Sequence, residues 1–177
     1  MASTQTKLMT FAEFQKIPNP PGGVYELRQG ELVKVPYPFG PHVRAQWQLR
    51  RLLEGAAGDA GVVDKGVPYR PVPEYEGWAA DVAYLTKARW NAIDRHLVGA
   101  PELVIEVLSP SNTKAEMLHK RKLCLENGSR EFWIVSIEKQ QVEVFTQDQV
   151  IVYKSGQEIP LFSAADARIA VDEIFKV

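Results

Sequence analysis

The sequence has a single cysteine, Cys124, among 177 residues. It can therefore form neither an internal disulfide nor a thiolate metal cluster, and a reducing compartment suits it. No apolar run is long enough to cross a bilayer. Residues 1–10 are polar and lack the apolar centre of a signal peptide. The net charge is only −1, which argues against a broad basic surface yet leaves room for a local basic groove. There is no fixed-period repeat and no low-complexity tract. There is also no Gly-Xaa-Ser-Xaa-Gly motif, which argues against a serine hydrolase of that type. The expectation is a soluble cytoplasmic protein with no membrane partner.

What remains is ordinary globular composition. Apolar residues make up 45% and charged residues 24%, so the chain can order around a real core. The length suits one domain, and no linker divides the chain. We therefore read 1–177 as a single domain, with 1–9 as a flexible N-terminus.

Thr10 and Glu13 have capping-box spacing and predict a short helix over Phe11–Lys16. Val24 to Val35 reads as a hairpin turning at Gly30. Its alternation groups Tyr25, Leu27, Leu32 and Val35. Glu26 then points the other way, either to solvent or into a cleft.

From His42 the residues Val43, Trp47, Leu49, Leu52 and Leu53 have helical spacing, ending near Gly55 or Gly58. Val62–Val67, Trp78–Leu85 and Leu103–Leu108 read as strands, the last buried on both faces. Lys87 to Leu97 reads as a short helix or an irregular crossover. Asn112 or Thr113 caps a helix to Asn127, and Gly128 suits its C-terminus. Runs at 131–135, 142–145 and 150–153 suggest a C-terminal meander, followed by a short packing element over 169–175. The order predicts an α/β (α+β) fold, a mixed sheet flanked by helices. Trp47, Trp90 and Trp133 are expected in the core, as is Cys124. His96 and His119 have no partner pattern and read as surface residues.

Two acids interrupt apolar strand runs: Asp81 and Glu106. A carboxylate there is costly unless paired, hydrogen-bonded or bound to a metal. If the two strands pair, both acids reach one point at the rim of the sheet. Two hard oxygen ligands suit Mg²⁺, with Mn²⁺ as a substitute. Lys120 lies on the basic helix that follows, and Lys122 is its rival for any role near the acids.

Several segments together resemble the Uma-two family of restriction-endonuclease-like proteins, within the PD-(D/E)XK nuclease superfamily. They are Val24–Val33, the Pro-Xaa-Xaa-His run ending at His42, Asp81, the string Gly99–Ser111 and Glu131–Val135. The resemblance runs from about Met9 to the C-terminus. It implies a four-stranded mixed core flanked by helices and Mg²⁺-dependent hydrolysis of DNA phosphodiesters. It matches Asp81 and Glu106 to the two metal-binding acids and Lys120 to a catalytic lysine moved onto the helix. Glu26 and His42 match positions near the cleft.

The sequence departs from the family pattern in places. Ala80 stands where proline is usual, while Leu108 stands where the superfamily usually has a lysine that the family commonly lacks too. Ser136 replaces an aspartate, Glu116 stands where aspartate is frequent, and Cys124 replaces an aromatic. A catalytically diverged nucleic-acid-binding or interaction protein that retains the fold is therefore the alternative. A homodimer is compatible with cutting both strands.

Overall fold

The structure, a computed structural model, describes residues 7–176. The first six residues of the flexible end expected over 1–9 lie outside that range. At its inner end the Met9 N–H donates to the Gly30 carbonyl at 2.9 Å. Thr10 and Glu13 form the expected capping box, but the helix they start, α1 (Phe11–Phe14), is shorter than expected.

Strands β1 (Gly23–Arg28) and β2 (Glu31–Pro36) form the hairpin. Gln29 (φ 52°) and Gly30 (φ 75°) both take positive φ, the two-residue turn that matches strand twist. This turn fixes the register and corrects one expectation. Leu27 faces Leu32, but Val35 faces Val24 and so shares the side of Glu26.

Helix α2 (Gly40–Ala57) follows, then β3 (Gly61–Arg70), β4 (Trp78–Thr86), α3 (Lys87–Asn91), β5 (Leu97–Val98) and β6 (Leu103–Val107). Next come α4 (Lys114–Glu126), β7 (Glu131–Ser136), β8 (Gln141–Phe145) and β9 (Val150–Lys154). The chain closes with β10 (Glu158–Pro160), β11 (Arg168–Ala170) and α5 (Val171–Phe175).

Seven strands form one mixed sheet in the order β5-β3-β4-β6-β7-β8-β9. This is larger than the four-stranded core that the resemblance implies. Strands β6 and β7 run parallel, because α4 carries the chain back across the sheet. Helices α2 and α5 cover one face, where Leu49, Leu53 and Ile174 pack on Val82, Ile105, Trp133 and Val135. Helix α4 covers the other, where Cys124 and Leu125 pack with Trp78, Val104 and Phe132.

Alternation on β6 is regular. Leu103, Ile105 and Val107 join the first core and Val104 the second, so Glu106 belongs to the α4 side. On β4 the alternation slips. Val82 and Tyr84 face the first core, yet Trp78 and Ala80 face the second. The slip falls at Asp81. It lies beside Gly66, whose φ of 63° opens the neighbouring strand while a Cβ there would meet nothing. Paired β4 and β6 residues also stop at Val82–Ile105, one step short of Asp81 and Glu106.

Two tryptophans depart from expectation. Trp133 is fully buried, but Trp47 is 53% and Trp90 38% exposed. The inward face of α2 is made by Ala45, Gln46, Gln48, Leu49 and Leu53, which turns Val43 and Trp47 outward. Among the described residues, no helix is long and apolar enough to cross a membrane.

Candidate active site

Where the β4–β6 ladder stops, the Asp81 side chain takes over a backbone partner. Its Oδ2 accepts from the Val107 N–H at 2.7 Å. From α2, Gln46 Nε2 donates to Asp81 Oδ1 at 2.7 Å. His42 Nε2 lies 3.0 Å from Oδ2, without the alignment of a hydrogen bond. Helix α2 begins at Gly40 with Pro41 in its first turn, which puts His42 and Gln46 one turn apart on the side facing Asp81.

Glu106 is held from the opposite face. Lys120 Nζ donates to its two carboxylate oxygens at 3.3 and 3.4 Å. The same Nζ lies 3.6 Å from Glu26 Oε2 and 5.6 Å from the centre of the Trp78 ring. Lys120 is only 3% exposed. It shares the inward stripe of α4 with Met117 and Cys124, at a spacing of three and four, rather than the solvated face. Lys122 is exposed and lies 4.0 Å from Glu126, its i+4 neighbour. Of the two lysines that the sequence leaves open, Lys120 is the one brought to the acids.

Glu26 is buried rather than solvated. Its Oε1 accepts from the Ala79 N–H at 3.1 Å, and its Oε2 accepts from Arg28 Nε at 2.9 Å. Arg28 also reaches Glu116 at 2.7 Å. The hairpin thereby connects to β4 and α4 through one carboxylate and one guanidinium.

Burial pushes the Glu106 carboxyl up to about 8. Lys120 pulls it down, while Asp81 and Glu26 add to the rise. Burial works against the Lys120 ammonium as well, but Glu106 and Glu26 outweigh it and leave its pKa above the usual lysine value. Lys120 is therefore a fixed cation, and Glu106 is the partner that gives up its charge when no further cation is near.

All five residues singled out from the sequence thus fall in two linked groups. Asp81 and His42 meet on the α2 side; Glu106, Lys120 and Glu26 meet on the α4 side. The donors suit a hard divalent ion in kind: carboxylates on adjoining strands, Asp81 partly exposed and Glu106 buried, with Glu106 destabilised as an anion by burial and by the Asp81 and Glu26 charges. Among the described residues, no group of three or more histidine, cysteine or acidic side chains converges as a complete metal cage. Asp81 and Glu106 would leave the remaining positions to water and backbone oxygen.

Sequence reading missed Gln46, Arg28 and a further pair. Glu76, in the loop before β4, is buried, and its Oε1 lies 3.0 Å from His119 Nε2. His119 also packs edge-on to Trp78, so it is not the partnerless surface residue expected. No local signal could reveal it, because Glu76 is 43 positions away in sequence. Cys124 is an inert core residue: it is fully buried against Tyr69, and burial pushes its thiol up to about 12.

A solved structure from Anabaena variabilis ATCC 29413, described as a putative nuclease belonging to DUF820, is similar to the chain with a TM-score of 0.82. It is 19% identical, and the match covers 94% of this chain and 97% of that one. This likeness establishes the fold. No curated protein matches the sequence. Residues 11–171 match the Uma2 family, whose description is "Putative restriction endonuclease". With that match spanning nearly all of it, the chain belongs to the Uma2 restriction-endonuclease-like family.

Proposed function

We propose that this protein is a divalent-metal-dependent nuclease that hydrolyses DNA phosphodiester bonds. The observation that carries the reading is Lys120. A buried helix lysine is held between Glu106 and Glu26, beside the strand position of Asp81. A core lysine with two carboxylates is costly as mere packing, and it is suited to a site where phosphate charge must be met.

Asp81 and Glu106 would hold Mg²⁺, or Mn²⁺ in its place. Such an ion supplies polarisation of the phosphate and an acidified water. The chain's own groups do the rest. Lys120 Nζ, kept charged by its neighbours, donates hydrogen bonds to the attacking water or to the phosphate oxygen gaining charge. Being protonated, it serves as a donor and not as the base. Gln46 fixes the Asp81 carboxylate, His42 stands 3.0 Å from it, and Glu26 fixes Lys120. In the hydrolysis, the water gives one proton to solvent and its oxygen bonds to phosphorus as the bond to the leaving sugar oxygen breaks, and that oxygen takes a proton from a second water.

The same reading takes the chain as one domain working in the cytoplasm, with a homodimer as the form that cuts both strands. Incubation of wild type with plasmid and single-stranded DNA under Mg²⁺ and Mn²⁺ is the test. Cleavage should appear, and fall about 100-fold or more in Asp81→Ala and Lys120→Met. Absence of cleavage under every divalent ion would overturn the reading. Salt-dependent binding without turnover is the result expected of the diverged alternative.

A further inference from the structure

We propose that α2 carries a stacking platform for unpaired bases, and that the substrate is therefore bound as a single-stranded or locally opened nucleic-acid segment. This deepens the nuclease reading and rests on it.

Val43, Trp47 and Arg51 are spaced by four residues along the outer surface of α2, and Phe39 stands at its N-cap, four residues before Val43. Phe39 is 79% exposed, Trp47 53% and Val43 39%. From Val43 to Arg51 the helical part of the row is about 12 Å long, and Phe39 extends it at the N-terminal end, enough for several nucleotides. The Arg51 guanidinium lies 5.7 Å from the Trp47 ring centre, so the row ends in an aromatic–cation pair. The row also runs beside the candidate active site. His42 and Gln46, which reach Asp81, directly precede Val43 and Trp47.

Charge selects the occupant. Between Glu31 and Glu54 the chain has no acidic residue, while Lys34, Arg44, Arg50 and Arg51 are all present. Arg50 is committed to Asp64 and Glu54. Among the described residues, neither Arg44 nor Arg51 has a carboxylate partner. Docking a second copy on this row would bring those arginines face to face, which like charge disfavours. A polyanion that also offers π-faces satisfies both the arginines and the rings. In an intact duplex the base faces are already stacked on each other, so exposed rings select unpaired bases.

The test is anisotropy of a fluorescein-labelled oligo(dT), and of a duplex of equal length, titrated with metal-free protein. The expected result is preference for oligo(dT), with affinity about tenfold lower in Trp47→Leu and Phe39→Ala. Trp90→Leu, whose exposed ring lies on α3 and not on α2, should bind as wild type. Unchanged oligo(dT) binding by Trp47→Leu overturns the platform. So does a wild-type dimer that Trp47→Leu splits, because the row is then an interface between copies. Plasmid cleavage that persists in Trp47→Leu with unaltered oligo(dT) affinity removes the platform and leaves the nuclease standing. Tryptophan-dependent binding without cleavage under any metal does the reverse.

Discussion

Lys120 Nζ lies 3.3 Å from Glu106 Oε1, and both side chains are almost wholly buried between α4 and the sheet. Removing one member of a buried pair leaves the other exposed to the full cost of desolvation. Lys120→Met should therefore destabilise the fold by about 3–5 kcal/mol at pH 9. At pH 6 the cost should be smaller, because Glu106 already carries a proton there. Urea unfolding at the two pH values measures the difference.

The Glu106 carboxyl also sets a pH dependence for the metal-free protein. Its pKa is about 8 in the fold against 4.5 for the ordinary carboxyl. Between those values the folded state retains a proton that the unfolded chain has released. Stability must therefore fall as pH rises through that window and level off above about 8. Thermal melts in EDTA should show this slope for wild type and lose most of it in Glu106→Gln.

Asp81 has a structural duty that is separable from chemistry. Its carboxylate accepts the Val107 N–H that no strand partner serves. Asp81→Ala should cost about 1–3 kcal/mol from that unsatisfied donor. Asp81→Asn keeps an acceptor oxygen, so it should fold nearly as wild type yet lose cleavage. Chemical denaturation alongside the plasmid assay distinguishes the two variants.

The Cys124 thiol is fully buried, with its pKa pushed up to about 12. Ellman's reagent should label the native protein only as fast as it unfolds, and label it at once in denaturant. Rapid labelling of the folded protein would contradict the placement of Cys124 in the core.

Much of this molecule is legible in its sequence, and the rest fails for physical reasons. The strands bearing Asp81 and Glu106 are readable because acids stand out in apolar runs. The capping box at Thr10 and the turn at Gly30 are local, so they too are readable. Alternation alone puts Val35 with Tyr25 and Leu27, whereas its facing follows from the Gln29–Gly30 turn, which sets the pairing by parity. Trp47 and Trp90 lie at the surface although their hydropathy suits a core, because apolar residues stay exposed often enough that hydropathy alone does not place them. Lys120 looked like one cation on a charged helix. Its place in the Met117–Cys124 stripe was the signal that it points inward. Gln46–Asp81, Arg28–Glu116 and Glu76–His119 join distant segments, and no local pattern encodes them.

The most direct test of the account is calorimetric titration of Mn²⁺ into the metal-free protein at pH 8. The account predicts one ion per chain for wild type, with binding abolished in Asp81→Asn and in Glu106→Gln although both remain folded. Unchanged binding in either variant, or no binding by wild type, would contradict it.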